Sequence, residues 1–504
     1  MDTASRRWAV LAALGIGAVY VLRLDQVAGL IKDDAWYIVL AKALASGQGF
    51  ALISAATSAI LPTVPPGFPA LLAPIFWLNP SFPDNVLWLK LVSVASLGVA
   101  SLAIYVDGRA HRGLDTATAI GLTSIALLTP AVVFLATSTV MSDCVFLAAQ
   151  LVAVVAIERA ARGGGMGKPT LAGALAAAAY LIRITGMAVI VGAVAYFMAR
   201  RQHRSALVFV VVVVVGVVPW ELYAASHAPT VQQRVEHGGS IAYPYRQLVT
   251  TGADRDVAIS TSAQWARAVD NVVGVFTRDL GAALVPILYR GAGESGQEVV
   301  SVGAPGRGSM GGARGTQVVS LLLSMLILIG ILRQRAWLSL PVLVMAATVA
   351  MVATVNAQTF RYLVPVVPFL LVYLWHGLRD PRACRIAVAS LLALHVIDHA
   401  GYLQARWTGS AQWLAEAADV DQVLGYLAVS EDGAVASTNP GLVYLRTGRK
   451  GVYLVNPDAN WERWRSWNVR YLAAFQPLQR PTLAEGQIGD IRTARFGYWA
   501  IKLP

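Results

Sequence analysis

The chain has 504 residues, 56% of them hydrophobic and only 13% charged, where soluble domains carry about 25% charged residues. With a mean hydropathy of +0.58, this excludes an ordinary soluble domain and indicates a polytopic α-helical membrane protein. The net charge of +12 sits in short basic runs between apolar segments, the pattern of cytoplasmic membrane loops, so nucleic acid is not an expected partner.

A bilayer-crossing helix needs about 20 apolar residues. The first such run, residues 8–24, follows Arg6 and Arg7. No clean small-x-small cleavage site follows it, so it reads as an uncleaved span rather than a signal peptide. Residues 25–85 form the first loop, opening on IKDDAWYIVLAKALASGQGF. If 33–46 is helical, Asp33 and Tyr37 share a face. Acids in a first turn also complement the helix dipole, so a catalytic and a purely structural reading of Asp33 and Asp34 both stand. Gly47, Gly49 and the stretch PTVPPGFPALLAP then break the helix into short pieces on the membrane face.

Further spans are expected at 86–106, 116–135 and 139–157. Lys90 lies at one end of the first of these, where it either snorkels or serves a site. Asp143, in TSTVMSDCVFLAAQ, lies near the corresponding end of the third. Residues 170–199 have basic flanks on both sides, which requires an even number of crossings. About 30 residues at 1.5 Å each cannot supply two full spans. A shallow hairpin of 170–182 and 186–198 is therefore expected, with Arg183 at its tip; a single tilted helix with a snorkelling arginine is the alternative.

A span at 206–224 leads into a second long loop, 225–316. Within it, 270–290 reads as an interfacial amphipathic segment, and the Gly- and Ser-rich 291–315 as a mobile loop of the kind that orders on substrate binding. Spans follow at 317–332, 337–355, 362–378 and 386–403. Arg361 and Tyr362 precede the third, as site residues or as interface anchors. His395 and His399, four apart with Asp398 between them, either bind a metal or glue helices together. The basic runs 109–112, 159–168, 200–204, 333–335 and 379–385, placed in the cytoplasm, fix the sidedness. The N-terminus is then inside, and Asp33, Asp34, Lys90, Asp143, Arg183 and Arg361 all fall on the outer side. The total is about eleven membrane segments in residues 1–403.

Residues 404–504 are more polar and contain no span. GAVAST, KGVYLV, VRYLAAF and GYWAIKL have strand character, and WLAEAADVDQVLGYLAV and NPGLVYLRTG read as helices. This is a small extracytoplasmic α/β domain. Its Trp461, Trp464 and Trp467 form either a sugar-stacking or membrane-facing surface or a packed core. Cys144 and Cys384 make no disulfide framework. No HExxH and no P-loop occur. Asp254-Arg255-Asp256 has the letters of a sugar-nucleotide motif without the preceding apolar strand.

Acids and cations gathered at one membrane face suit a reaction on a phosphorylated lipid. A carboxylate takes a proton from an attacking hydroxyl, and arginine or lysine holds the departing phosphate. Here the sequence resembles the GT-C glycosyltransferases that use polyprenyl-phosphate sugars, among them the bacterial relatives of protein O-mannosyltransferases and of the lipid A aminoarabinose transferase. The likeness rests on Asp33-Asp34-Ala35-Trp36-Tyr37, then SGQGF, then Pro65-Pro66-Gly67-Phe68-Pro69. It continues through Ser142-Asp143, Arg183-Ile184-Thr185-Gly186 and Arg361-Tyr362. It covers residues 1–220 best, 317–403 more loosely, and the tail only generically.

The resemblance implies inverting sugar transfer from a polyprenyl phosphate (undecaprenyl phosphate, for example) at the outer face of the bacterial inner membrane. It implies a catalytic carboxylate at Asp33, with Asp34 standing where the family more commonly has Glu. Arg183, Lys90 and Arg361 are the donor-phosphate candidates, and Tyr37, Asp143 and Tyr362 the sugar or acceptor candidates. A gap beside the hairpin would admit the prenyl chain. The acceptor is a hydroxyl of a glycan, lipid or protein. No cofactor is required by the residues, and a divalent metal stays open because relatives differ. A flippase for a lipid-linked sugar and a non-catalytic glycan sensor are the competing classes; the absence of internal repeats and of midplane charges speaks against transport.

Overall fold

The computed structural model describes residues 3–56, 64–163, 165–228, 249–250, 258–286, 314–355, 359–454, 457–476, 491–493 and 495–503. The Asp254–Asp256 triplet and nearly all of the Gly- and Ser-rich stretch lie outside these residues. The chain is a helical membrane bundle capped at one end by a small sheet domain. Helix α1 (Thr3–Arg23) leads into α2 (Lys32–Ala45) and α3 (Gly67–Leu78), then α4 (Val86–His111). The expected third span is bent: α5 (Thr116–Leu128) and α6 (Pro130–Thr137) meet at 56°, because Pro130 starts a new helix and cannot continue the old one. Next come α7 (Asp143–Ala161), α8 (Gly167–Ile182), a single 3₁₀ turn (Ile184–Gly186), α9 (Met187–Ala199) and α10 (His203–Ser226).

The hairpin is present. Its tip places Arg183 against Asp143 at the N-terminus of α7. Its return leg places the Tyr196 hydroxyl on Glu158 near the C-terminus of α7. At 16 and 13 residues, α8 and α9 are about 24 and 20 Å long, each short of the roughly 30 Å hydrocarbon core.

Beyond α10, α11 (Thr261–Gly274) is amphipathic and has no buried residue. A π-helical turn (Val275–Asp279) and the fully buried α12 (Leu280–Leu284) follow. The interfacial segment is therefore 261–274 rather than 270–290: its second half packs into the bundle because LGAAL carries no polar face. Helices α13 (Arg314–Arg333), α14 (Leu340–Thr354), the short α15 (Thr359–Leu363), α16 (Val367–Gly377) and α17 (Pro381–Trp407) complete the bundle.

Among the described residues, five helical segments are long and apolar enough to cross a bilayer, or six with the bent α5–α6 pair, and α3, α9, α13 and α14 are shorter apolar helices. Lipid tails are as apolar as leucine, so helices associate in a membrane by close packing. Gly330 and Gly377 show this for α13 and α16: a Cβ on either would lie 1.9 Å from the Tyr373 oxygen or 2.1 Å from the Leu326 oxygen. An apolar cavity of about 510 Å³ lies between α1, α4 and α5, not beside the hairpin, and none of the expected site residues lines it.

Arg112 bonds Asp107 and Glu158, Arg162 the Ala110 carbonyl, Arg200 the Ala161 carbonyl, and Arg333 the Gly377 carbonyl, while His376 lies against the Arg112 backbone, so the helix ends carrying the basic runs collect at one end. His399 Nε2 meets the Leu128 carbonyl at 2.8 Å, joining α17 to α5, which is the helix-gluing role.

The sheet domain caps the other end. After α18 (Gln412–Val429) come β1 (Ala434–Ser437), α19 (Pro440–Thr447), β2 (Gly451–Tyr453), α20 (Pro457–Ser466), β3 (Val469–Ala474), β4 (Ile491–Arg492) and β5 (Trp499–Lys502). The strand order is β2-β1-β3-β5-β4, with β1 parallel to β2 and β3, and β5 antiparallel to β3 and β4. All four expected strands form. Trp464 is fully buried in this domain and Trp467 packs on the same core, so these two tryptophans fill the domain rather than its surface.

Candidate active site

The site is built where the first turn of α2, the first turn of α7, the hairpin tip and α15 converge. Asp143 opens α7, where the helix dipole favours an anion. It is fully buried between two guanidiniums: Arg183 Nη1 lies 3.0 Å from Oδ2, and Arg361 donates through Nε at 3.1 Å to both oxygens and through Nη2 at 2.8 Å. Fully desolvated, that carboxylate depends on both cations.

Arg361 also reaches outward. Its Nη1 donates to Asp33 Oδ2 at 3.0 Å. One guanidinium thus clamps two carboxylates, as its fork of five donors permits. Asp33 is the accessible member, its side chain 25% exposed against 7% for Arg361 and none for Asp143. Among the described residues its Oδ1 has no hydrogen-bond partner, and Arg183 spends only Nη1, on Asp143 and on the Ser142 hydroxyl at 3.2 Å. The Arg183 guanidinium stands 5.4 Å from the Tyr362 ring centre. The site therefore offers one carboxylate oxygen and unspent N–H donors side by side.

The other expected residues lie behind this face. Tyr37 is buried, edge-on to Phe68 at 4.9 Å, and its hydroxyl is 2.9 Å from Ser142 Oγ. It braces the α2–α7 contact instead of lining the opening. Asp34 is fully buried and accepts backbone N–H bonds from Gly29 at 2.8 Å and Val140 at 3.1 Å. Burial, the largest influence, pushes its carboxyl up to about 7 against the lowering pull of Gly29, Lys90 and Val140.

Lys90 does not fit a donor-phosphate role. Its ammonium is fully buried and donates to Asp25 Oδ1 at 2.6 Å and to the Asp25 and Thr137 carbonyls at 2.9 Å each. An ammonium has three N–H donors, and all are spent. Its partner Asp25 also accepts from Ser138 at 2.7 Å. Asp25 and Ser142 went unrecognised as supports in the sequence; Asp25 carried a signal, as an acid directly after the first span.

Among the described residues, no three His, Cys, Asp or Glu side chains come together as metal donors. The positive charge standing between Asp33 and Asp143 is the Arg361 guanidinium.

The sequence model described as glycosyltransferase family 87 matches residues 63–278. The fold is similar to that of ArnT from Cupriavidus metallidurans in the apo state, at 13% identity, TM-score 0.61, and 99% and 98% coverage of this chain and that one. The same protein bound to undecaprenyl phosphate matches at 12% identity, TM-score 0.53 and 98% coverage of both chains. The chain has the fold of the GT-C glycosyltransferases. The GT-C fold extends to the archaeal oligosaccharyltransferase AglB from Archaeoglobus fulgidus, solved with an inhibitory peptide and a dolichol-phosphate. That match has 12% identity and TM-score 0.54, and covers 94% of this chain and 70% of that one. No curated protein sequence matches the chain.

Proposed function

We propose that the chain is a GT-C glycosyltransferase that moves a sugar from a polyprenyl phosphate, such as undecaprenyl phosphate, to a hydroxyl of a glycan, lipid or protein, inverting the anomeric carbon. The observation that carries this reading is the partly exposed Asp33 carboxylate, held by the same arginine that grips buried Asp143, next to the unspent donors of Arg183. Asp33 Oδ1 takes the proton of the acceptor hydroxyl. The acceptor oxygen attacks the anomeric carbon as the bond to the lipid phosphate oxygen breaks on the opposite face. The phosphate leaves with the bonding electrons, and the remaining N–H groups of Arg183 and Arg361 stabilise it. Those two guanidiniums supply the positive charge, so no metal step is invoked. Tyr362, half-buried beside Arg183, offers its ring to the sugar.

The proposed setting is the bacterial inner membrane with the sheet domain outside. It is supported by the gathering of basic helix ends away from the sheet domain, as cytoplasmic ends require. A reporter fused to the C-terminus is expected to read extracytoplasmic; a cytoplasmic readout overturns the orientation. For the chemistry, Asp33→Asn keeps the shape and removes the base. Sugar transfer in membranes, followed by mass spectrometry of cell-envelope glycans, is expected to vanish while expression and folding persist. Full transfer by this variant would remove Asp33 as the base.

A further inference from the structure

The reaction as read so far uses nothing from the C-terminal domain, yet that domain grips the segment that carries Asp33. Asn439, at the N-terminus of α19, is buried. Its Oδ1 caps the helix by accepting from Leu442 N–H at 3.2 Å. Its Nδ2 crosses to the membrane domain and donates to the Gly29 carbonyl at 2.8 Å and the Leu30 carbonyl at 3.2 Å. Gly29 in turn donates its N–H to Asp34 Oδ2, and Asp34 Oδ1 accepts from Val140, two residues before Ser142. A hydrogen-bonded path thus runs from the sheet domain through the turn before α2 to the segment that starts α7.

The fit around this path is close. Gly29 adopts φ +82, and a Cβ there would stand 3.0 Å from Leu442 Cδ1. A Cβ on Gly441 would be 3.1 Å from the Cβ of Ala35. Trp36 Nε1 donates to the Tyr453 hydroxyl at 2.5 Å. The free edge of β2 is taken by the first loop, through Gly451 N–H to Ser54 at 2.9 Å and Ala56 N–H to Gly451 at 3.0 Å. The first turn of α2 is therefore set from two sides, by the membrane domain through Val140 and by the sheet domain through Asn439. Asp33 lies in that turn, between the buried Asp34 and the exposed Lys32.

We propose that Asn439 is a positioning residue for sugar transfer, holding the Gly29–Leu30 turn so that Asp33 stays in register with Arg361. The inference rests on the reading of Asp33 as the base. It gives the C-terminal domain a task in the reaction: a base must be held to within a fraction of an ångström, and misplacement by about 1 Å costs on the order of 100-fold.

The cap and the bridge are separable chemically. Asn439→Asp keeps an oxygen for the Leu442 N–H, since Asp caps helices as well as Asn, but offers no donor to the two carbonyls. In the purified full chain, kcat is expected to fall about tenfold or more with the donor KM nearly unchanged, the split of an interaction felt in the transition state. Amide deuterium uptake over 27–36 is expected to rise. Gly448→Ala is the control: it strains the left-handed C-cap of the same helix, at φ +74, lowers stability and leaves the bridge alone, so kcat per folded molecule should hold. If Asn439→Asp keeps wild-type kcat, or if both variants lose activity in proportion to stability, the positioning role is overturned. The exchange readout needs no sugar donor, which separates the two readings. Faster uptake with unchanged kcat sinks positioning and leaves Asp33 untouched, whereas full activity of Asp33→Asn removes the base and the catalytic task of Asn439 with it.

Discussion

Replacing Arg361 by lysine asks whether one guanidinium must serve two carboxylates. The charge is kept, but the geometry is not. Arginine spends Nε and Nη2 on Asp143 at 2.8–3.1 Å and Nη1 on Asp33 at 3.0 Å, on two sides of a rigid fork. A lysine presents its donors at a single point, and Asp143 is the more buried partner and will keep it. Asp143 also retains Arg183, so the fold should survive. Asp33 loses its only partner among the described residues, and the leaving phosphate loses fixed donors. Removing one preorganised donor of this kind costs on the order of 10²–10³ in kcat, or about 2.7–4 kcal/mol, and Arg361→Lys is expected to fall in that range. The assay uses full-length protein in nanodiscs with a panel of undecaprenyl-phosphate sugars, and follows released undecaprenyl phosphate by mass spectrometry. Circular dichroism confirms folding. A kcat within a small factor of wild type would refute the two-carboxylate clamp as a catalytic device.

Further substitutions probe the supports. Lys90→Met leaves Asp25 buried without its cation, which costs about 3–5 kcal/mol. The unfolding midpoint in detergent should drop sharply while activity per folded molecule largely persists, and Lys90→Met with Asp25→Asn should recover part of the loss; lost transfer at unchanged stability would restore Lys90 as a phosphate ligand. Asp34, raised to about 7 by burial, sits above the unfolded carboxyl value of about 4. Between those pH values the folded state binds more protons, so this group's contribution is full below about 4 and lost as pH rises toward 7. Asp34→Asn, which does not titrate, should lower the midpoint overall, since its amide N–H₂ faces a backbone donor, and flatten its fall across that window. Parallel wild-type and variant curves would contradict the burial effect.

The helices were largely legible because apolar length and flanking charge are local properties. The hairpin followed from counting: 30 residues between two basic flanks cannot make two full spans. Pro130 was visible as a breaker in TPAVVF, yet the apolar run on both sides hid the bend. The strands of the last hundred residues stood out by alternation and by β-branched and aromatic residues. Lys90 and Tyr37 were placed at the correct end but given the wrong partners, since no local pattern separates a side chain lining an opening from one sealed behind it. LGAAL carried no polar face, so its burial was readable in retrospect.

By itself the sequence determined which segments are apolar, which ends gather the basic runs, and hence that Asp33, Asp143, Arg183 and Arg361 share one end of the bundle. Only the tertiary structure decided who pairs with whom. Arg361 meets Asp143 across 218 residues and Asp33 across 328, Asn439 meets Gly29 across 410, and Lys90 turns inward to Asp25 across 65. Hydropathy and charge set the depth of a residue in the membrane. Its neighbour at that depth is set by how the helices pack around their glycines, which no single stretch of chain encodes.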